Sequence, residues 1–367
     1  MKFELSDDQR LIDRSLRDYL ADALPLDRVR AVAASRVGFD PDLWAGLCGL
    51  GVSGLLVREE LGGSGLGLLD AAVVAEVLGN GAAPTPFIAA NVMAPFAIVA
   101  TGSAQQQARW LPAIAKGEMR VAVACGALSG ATGTAELSRN SGRISGQVSG
   151  VLDGGGATHV LLFAPDGAAA IVALGSAGVE LALQPTLDRT RPLARLVLDD
   201  AAVEPLASAG DPLAVARRVV DAGRVMLAAD TLGACQRMID KAVAYAGERV
   251  QFGRTIASFQ AVKHMCAEMV AALEPARSLV WYAAYIQDAG GEEERRTMAT
   301  LAKSHLAEVG RDIARVATEV HGGMGFTDLM GLHFWFKRIA FDRQVLGSPE
   351  RCRQEAATVQ GWASEAG

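Results

Sequence analysis

The chain has 367 residues and a formal net charge of −6, and half of its residues are hydrophobic while only 5% are aromatic. This length allows two or three domains with apolar cores of their own. The negative balance argues against a nucleic-acid partner, which requires a basic surface. The charged residues that follow Met1 argue against a secretory signal peptide.

The first 120 residues are predicted to form an N-terminal α-helical domain. Ser6 is the expected N-cap of an amphipathic helix that places four apolar side chains on one face. These are Leu11, Ile12, Leu16 and Leu20. No charged residue occurs between Glu76 and Arg109, but prolines interrupt this segment. It therefore predicts two short buried helices of a soluble protein and no membrane span.

Residues 121–207 are predicted to form a small central β domain, because short apolar runs alternate there with Gly-, Ser- and Asp-rich turns. Residues 208–367 are predicted to form a C-terminal four-helix bundle, because apolar residues recur at helical spacing. The expected helices run from Pro212 to about Arg249, and then over Phe259–Asp288, Glu292–Val320 and Asp328–Ala363.

The five cysteines are odd in number and form no Cys-x-x-Cys pair. They predict reduced thiols of a cytoplasmic protein, and neither a disulfide framework nor a zinc site. The histidines lack acidic or cysteine partners at ligand spacing, so no metal site is predicted.

Two motifs in the C-terminal part carry a resemblance to a known family. Residues 249–264 read RVQFGRTIASFQAVKH, and residues 319–327 read EVHGGMGFT. Together they resemble the flavin-binding signature of acyl-CoA dehydrogenases, and residues 47–63 and 110–117 resemble N-terminal segments of the same family. The resemblance covers essentially the whole chain. It implies the α+β, mostly α, fold of that family, with helical, β and bundle domains in this order.

The resemblance also implies a cofactor and an activity. Acyl-CoA dehydrogenases convert acyl-CoA thioesters to trans-2-enoyl-CoA with FAD as the hydride acceptor, and their FAD bridges two subunits. Arg249 matches the residue that pairs with the FAD pyrophosphate, and Glu319 stands where the family usually has glutamine. The full set of residues matched to cofactor contacts is Arg249, Phe252, Gln260, Glu319, Gly322 and Gly323.

Other family residues are missing from this chain. The family's Thr-Glu-Pro and Gly-Ser-Asp segments are replaced by residues 125–134, and Val151-Leu152 lies where many members have a flavin-flanking tryptophan. The two positions at which the family places its catalytic glutamate match Gly223 and Gly347. The nearest carboxylates in sequence are Asp221 and Glu350, which are weak candidates for a displaced base. The catalytic base is therefore not identified.

Three hypotheses follow. The chain is a non-catalytic subunit that contributes FAD contacts to a related subunit in a hetero-oligomer, or a complete homo-oligomeric dehydrogenase with a displaced base, or a binding or scaffold protein. The ending LGSPER at residues 346–351 resembles the eroded subunit of the two-subunit acyl-CoA dehydrogenases that bacteria use on steroid side chains. This resemblance favours the first hypothesis. It also suggests lipid metabolism and steroid degradation, with an acyl-CoA thioester of undetermined acyl group as substrate.

Overall fold

The computed structural model describes residues 4–129, 138–140, 142–206 and 210–363. Its first part is helical, and a π-helical turn at Ile88–Met93 leads into the fifth helix. The helices of this part are α1 (Asp7–Ala23), α2 (Leu26–Ser35), α3 (Pro41–Gly49), α4 (Leu68–Asn80), α5 (Ala94–Thr101) and α6 (Ala104–Ala115).

The start of α1 agrees with the sequence. The Ser6 hydroxyl accepts a hydrogen bond from the Gln9 backbone N–H at 3.1 Å, and the Gln9 side chain accepts one from the Ser6 N–H at 2.9 Å. This reciprocal capping box satisfies two N–H groups that have no partner within the helix. The predicted apolar face is narrower than expected, because Leu16 and Leu20 are buried whereas Leu11 is 59% exposed.

The middle of the chain forms two four-stranded sheets that pack face to face around a separate apolar core. One sheet has the order β1-β4-β5-β8, with β1 parallel to β4, and the other is antiparallel with the order β2-β3-β7-β6. A short helix, α7 (Gly126–Ser129), follows β1. The strands are β1 (Val121–Ala124), β2 (Ser138–Asn140), β3 (Arg143–Val151), β4 (His159–Phe163), β5 (Ala169–Ala173), β6 (Val179–Leu183), β7 (Ala194–Ala202) and β8 (Glu204–Pro205).

The last part is a bundle built around α8 (Pro212–Glu248), which is buried along most of its length and packs against α4 and the later helices. A small hairpin of β9 (Val250–Gln251) and β10 (Arg254–Thr255) follows α8. The remaining helices are α9 (Gln260–Ala289), α10 (Glu292–His321), α11 (Leu332–Gln344) and α12 (Pro349–Val359).

The helix expected over residues 328–363 is divided into α11 and α12, so that prediction of one continuous helix was wrong. Leu346 and Gly347 both adopt positive φ, 60° and 114°, which a continuing right-handed helix cannot accommodate. Ser348 then caps α12, and Pro349 occupies its first position, where proline is tolerated.

A buried charged cluster joins the β region to the bundle. The Arg338 guanidinium on α11 donates to Asp188 of the β region at 2.5 Å and pairs with Asp230 of α8 at 3.2 Å. Arg191 pairs with Asp153 at 3.0 Å in the same way. Because all five side chains are nearly inaccessible to solvent, these pairs fix the orientation of the β sheets against α8 and α11. Within the described ranges, no helix is long and apolar enough to cross a membrane.

Candidate functional site

The residues matched to FAD contacts lie at one end of the bundle. Helix α8 ends there, α9 begins there, and α10 returns to the same end. The Tyr245 ring near the end of α8 stacks on the His321 ring at the end of α10, with centroids 4.6 Å apart. The fold therefore brings together two motifs that are far apart in the sequence.

Phe252 is held in an unusual conformation by the β9–β10 hairpin. The two turn residues, Phe252 and Gly253, have φ of 53° and 76°, as a type I′ turn requires. This conformation costs a non-glycine residue about 1–2 kcal/mol. The Phe252 side chain is nevertheless 92% exposed. Its ring meets the Phe259 ring edge to face, with the ring centroids 6.1 Å apart. A strained, exposed aromatic residue contributes little to a core, and it indicates a binding role.

Arg249 is fixed through its backbone, while its side chain has no protein partner. Its N–H donates to the Tyr245 carbonyl at 2.8 Å, and its carbonyl accepts from the Ile256 N–H at 2.8 Å. Across the part of the chain that the structure describes, its exposed guanidinium forms neither an ion pair nor a hydrogen bond. It can therefore take a pyrophosphate, whose oxygens suit the planar guanidinium fork. Gln260 is exposed at the first residue of α9, where unpaired helix N–H groups favour an anion.

The loop after α10 is open to a ligand. Gly322 has a φ of 58°, and a Cβ added at Gly322 or Gly323 would meet no atom within 4 Å. The backbone can thus come close to a flat dinucleotide there. Glu319 is exposed in the last turn of α10, and an ionised carboxylate can only accept hydrogen bonds. Taken together, these exposed residues fit one half of a dinucleotide site.

The two glycines matched to the catalytic base adjoin each other in the interior. A Cβ at Gly223 would lie 2.6 Å from Leu346 Cδ1 and 2.8 Å from Met93 Sδ. A Cβ at Gly347 would lie 3.1 Å from Arg224 Nη2. Leu346, Met93 and Arg224 therefore fill the space that a glutamate side chain from either position requires.

Arg224 is the centre of an ion-pair network that sequence reasoning missed. Its side chain is buried and donates to the Leu346 carbonyl at 2.8 Å and to both oxygens of Glu355, at 2.7 and 3.1 Å. Asp221 accepts from it at 3.0 Å. The available signal was the occurrence of Asp221 and Arg224 within an otherwise apolar stretch of α8. The partner Glu355 lies 131 positions away in sequence and cannot be read from any local pattern.

The carboxylates near the two glycines, Asp221, Glu350 and Glu355, all pair with arginine side chains. Burial raises the pKa of Asp221 to about 6, although Arg224 and Arg296 oppose the shift. Burial also acts on Glu355, but hydrogen bonds and charge from Arg224 and Arg296 hold its pKa below the usual value. The backbone N–H of Glu350 and the Ser348 hydroxyl lower the pKa of the Glu350 carboxyl. This side chain is exposed and faces Arg343 and Arg353.

A charged cleft with a volume of about 810 Å³ opens beside Arg224. It lies between α8, α10 and α12, and Pro165 of the β region lines its edge. Arg296, Arg351 and Glu355 line it as well, and Glu355 pairs with both arginines, at 3.1 and 2.9 Å. Glu355 therefore joins Arg224 to the two arginines that line the cleft.

The FAD-matched residues and the two glycines cannot belong to one active site within one chain. Gly223 lies in the first third of α8 and Arg249 directly follows its last residue. At 1.5 Å per residue, the helix separates them by about 39 Å. Val151 and Leu152, which lie where many family members have a flavin-flanking tryptophan, are fully buried. The Leu152 backbone forms hydrogen bonds with the Val123 backbone between the two sheets. Of the segment 125–134, residues 130–134 lie outside the described residues. Among the described residues, no group of three or more His, Cys, Asp or Glu could hold a metal ion.

Comparison with known families gives matches over both ends of the chain. Residues 6–118 match the N-terminal domain of acyl-CoA dehydrogenases, and residues 210–359 match the C-terminal domain. An acyl-CoA dehydrogenase IpdE2 from Mycolicibacterium smegmatis is 29% identical and aligns over 97% of this chain and 100% of its own length. The IpdE2 from Mycobacterium tuberculosis is 32% identical over 88% of this chain and 87% of its own.

Solved structures agree with these matches. A variant of the steroid ACAD Tcur3481-Tcur3483 superimposes with a TM-score of 0.87 at 28% identity, and 97% of this chain and 98% of that chain are covered. Butyryl-CoA dehydrogenase from Megasphaera elsdenii, at 23% identity, has a TM-score of 0.89 over 98% of this chain and 100% of its own. This second similarity concerns the fold alone.

Proposed function

Because the chain belongs to the acyl-CoA dehydrogenase family, we propose that it is the non-catalytic subunit of a heteromeric member of that family. FAD is the cofactor of the family, and this chain contributes one half of a FAD site to a related subunit. That subunit supplies the catalytic carboxylate and the residues around the flavin ring. The assembly is a cytoplasmic oligomer that desaturates an acyl-CoA thioester.

The observation that carries this proposal is the replacement of the base by Arg224. Both base positions are glycine, and the space beside them is occupied by a buried guanidinium and two apolar side chains. A guanidinium in this place cannot act as the base that removes a proton. The exposed Arg249, whose side chain has no partner among the described residues, and the strained Phe252, by contrast, retain the features of a cofactor contact.

The division of chemistry within the heteromer follows from these residues. When bound, FAD supplies the hydride acceptor. Arg249 neutralises pyrophosphate charge, Phe252 packs against the cofactor, and Gly322 and Gly323 allow the backbone to approach it. None of these residues transfers a proton, so this chain orients the cofactor while its partner performs the proton abstraction.

A steroid-derived acyl group is the substrate class that we infer. The steroid ACAD described above covers nearly the whole chain at 28% identity, which supports this choice.

The proposal is tested by the flavin content of the chain purified alone and together with the acyl-CoA dehydrogenase homologue encoded beside it. We expect visible flavin absorbance only in the co-purified complex, and we expect acyl-CoA to bleach it there. A stoichiometric flavin in the isolated chain that acyl-CoA bleaches would contradict the proposal. A lack of flavin in both preparations would favour a scaffold instead.

A complete homo-oligomeric dehydrogenase is the second candidate, and the position of Glu355 favours it. This carboxylate lines the cleft beside Arg224, closer to the network than the exposed Glu350. Its lowered pKa makes it a weak base. If the isolated chain is active, Glu355→Gln should abolish acyl-CoA bleaching while Glu350→Gln leaves it intact.

A further inference from the structure

A buried histidine links the two motifs of the FAD half-site. His321 is the last residue of α10 and directly precedes the loop of residues 322–325, the glycine loop, and it is only 2% exposed. Its ring stacks on the Tyr245 ring with an angle of 24° between the two planes. The Tyr245 carbonyl in turn accepts a hydrogen bond from the Arg249 N–H. The contact between the two rings therefore connects Arg249 to the glycine loop.

The glycine loop also packs back on His321. A Cβ added at Gly325 would lie 3.1 Å from the His321 Cβ and 2.7 Å from the Thr318 carbonyl oxygen. The loop therefore rests on the turn of α10 that carries His321. Because the backbone of the loop is this close, a displacement of the His321 side chain displaces the loop as well.

The hydrogen bonds of the His321 ring determine its protonation state. Its Nδ1 lies 2.7 Å from the Ala317 carbonyl oxygen, which can only accept, so we assign the proton of the neutral ring to Nδ1. Its Nε2 is fully enclosed and has no hydrogen-bond partner among the described residues. In the neutral ring this atom has only a lone pair. Protonation would place a charged N–H donor where no acceptor is available, which costs more free energy.

The surroundings of the ring also favour its neutral form. Burial lowers the pKa of His321, and the positive charge of Lys241 on α8 lowers it further, although the hydrogen bond to Ala317 opposes the shift. Within the described ranges, no other charged side chain of α8, α9 or α11 acts on this ring, and Tyr245 is the titratable group stacked on it. The stabilising contribution of the neutral ring is therefore fully present above the ordinary pKa of 6.5, and it is lost as the pH falls through the lowered pKa.

We propose that His321 is a positioning residue that holds Arg249 and the glycine loop in place for FAD only while its ring is neutral. The inference rests on the proposed function, and it adds a proton-dependent control of the same half-site. When the ring binds a second proton, it leaves its enclosed position, the stack on Tyr245 breaks, and the glycine loop moves. Because its own chain encloses it, His321 acts on FAD through these neighbours.

The test measures FAD retention by the co-purified complex between about pH 5 and 8, the range in which histidine changes its charge. We expect the wild-type complex to lose FAD as the pH falls below 6.5. His321→Phe keeps an aromatic ring for the stack but cannot take up a proton, so its FAD retention should not change over this range. The matched control is His305→Phe, because His305 is exposed on the same helix. This control should follow the wild type.

A second variant and a second measurement separate positioning from folding. His321→Ala removes the stack and should weaken FAD retention about two- to ten-fold at every pH, which is the contribution of an aromatic pair. Urea unfolding verifies that this variant chain is folded. Nitrogen NMR of the wild-type chain alone should show a His321 ring with its proton on Nδ1 that takes up a second proton below pH 6.5. The His321 signal is the one that His321→Phe removes.

The possible results separate the inference from the proposed function. If the wild-type complex holds FAD and His321→Phe loses it over the same pH range, the positioning role is wrong while the heteromer stands. A His321 ring that takes up its second proton at or above pH 6.5 would likewise overturn the inference. If the wild-type complex binds no FAD at any pH, the proposed function fails, and the inference fails with it.

Discussion

Gly347 illustrates how a single residue can exclude a catalytic group. Its φ of 114° is rarely adopted by other residues, and an added Cβ would lie 3.1 Å from Arg224 Nη2 and 3.4 Å from Cys352 Sγ. Gly223 has an ordinary helical conformation but is enclosed by Leu346 and Met93. A glutamate at Gly223 thus requires Leu346 and Met93 to shift, and a glutamate at Gly347 adds a strained backbone beside Arg224.

We predict that Gly347→Glu neither creates a base nor preserves stability. The strained backbone costs about 1–3 kcal/mol, and the new carboxylate would pair with Arg224 instead of remaining free. The measurements are urea unfolding and acyl-CoA bleaching of any bound flavin. Gly323→Glu is the control for stability, because a side chain there enters open space. A stable and active Gly347→Glu protein would show that Arg224 does not block the site.

Asp221 should give the stability of this protein a distinctive pH dependence. Its pKa is raised by burial from 3.8 to about 6, so the native state binds the proton more tightly than the unfolded chain. The contribution to stability is fully present below pH 3.8 and is lost as the pH rises through about 6. Two pKa units correspond to about 3 kcal/mol.

The corresponding variant is Asp221→Asn. Measured by urea unfolding between pH 4 and 7, the free energy of unfolding of the wild type should fall relative to that of the variant by at most about 3 kcal/mol. The wild type is compared with the variant because Glu355 has a lowered pKa. In both proteins, Glu355 changes the pH dependence of the free energy of unfolding in the opposite direction. Parallel curves for the two proteins would mean that Asp221 is already ionised at low pH.

At the scale of elements, the sequence predicts those features that depend on neighbouring residues. The capping box at Ser6 and the proline at the start of α8 are local signals, and both are present in the structure. The break between α11 and α12 also has a local signal in Gly347, Ser348 and Pro349. Apolar residues recur at helical spacing on both sides of these residues, and that pattern predicted one continuous helix.

The candidate site was predictable only in its linear part. Arg249, Phe252 and Gln260 are close in sequence, so their spacing could be recognised. The side chains that occupy the space beside the two base positions could not be predicted, because Met93, Arg224 and Leu346 come from three distant elements. The bond between Arg224 and Glu355 arises from tertiary packing, and no periodicity in either helix specifies it.

The buried cluster around Arg338 should be the most sensitive polar element of the fold. Arg338→Met leaves Asp188 and Asp230 buried without their shared cation, which should destabilise the protein by about 3–5 kcal/mol. Arg311→Met is the control, because Arg311 is half exposed and its pairs with Glu308 and Asp312 contribute about 1 kcal/mol or less. Equal losses of unfolding free energy in the two variants would contradict a structural role for the cluster.

At the scale of the whole molecule, the separation of the two ends of α8 determines what one chain can do. The exposed Arg249 lies about 39 Å from Gly223, so in the proposed heteromer each chain contributes to two different sites. In this proposal, one of these sites has lost its base in this chain. The other, which the proposed partner completes, keeps its charged and aromatic contacts at the surface.

In the proposed heteromer, the binding of the cofactor depends on Arg249 of the non-catalytic subunit. Arg249→Ala should weaken FAD retention by the complex about ten- to hundred-fold, the effect of removing a charge-assisted hydrogen bond. Sedimentation should show unchanged assembly, because the substitution removes only one exposed side chain. Arg254→Ala is the matched control on the same hairpin, because the Arg254 guanidinium packs on the Phe259 ring at 4.0 Å. A complex that keeps its full flavin content with Arg249→Ala would place the pyrophosphate elsewhere, and the FAD half-site would then not reside in this chain.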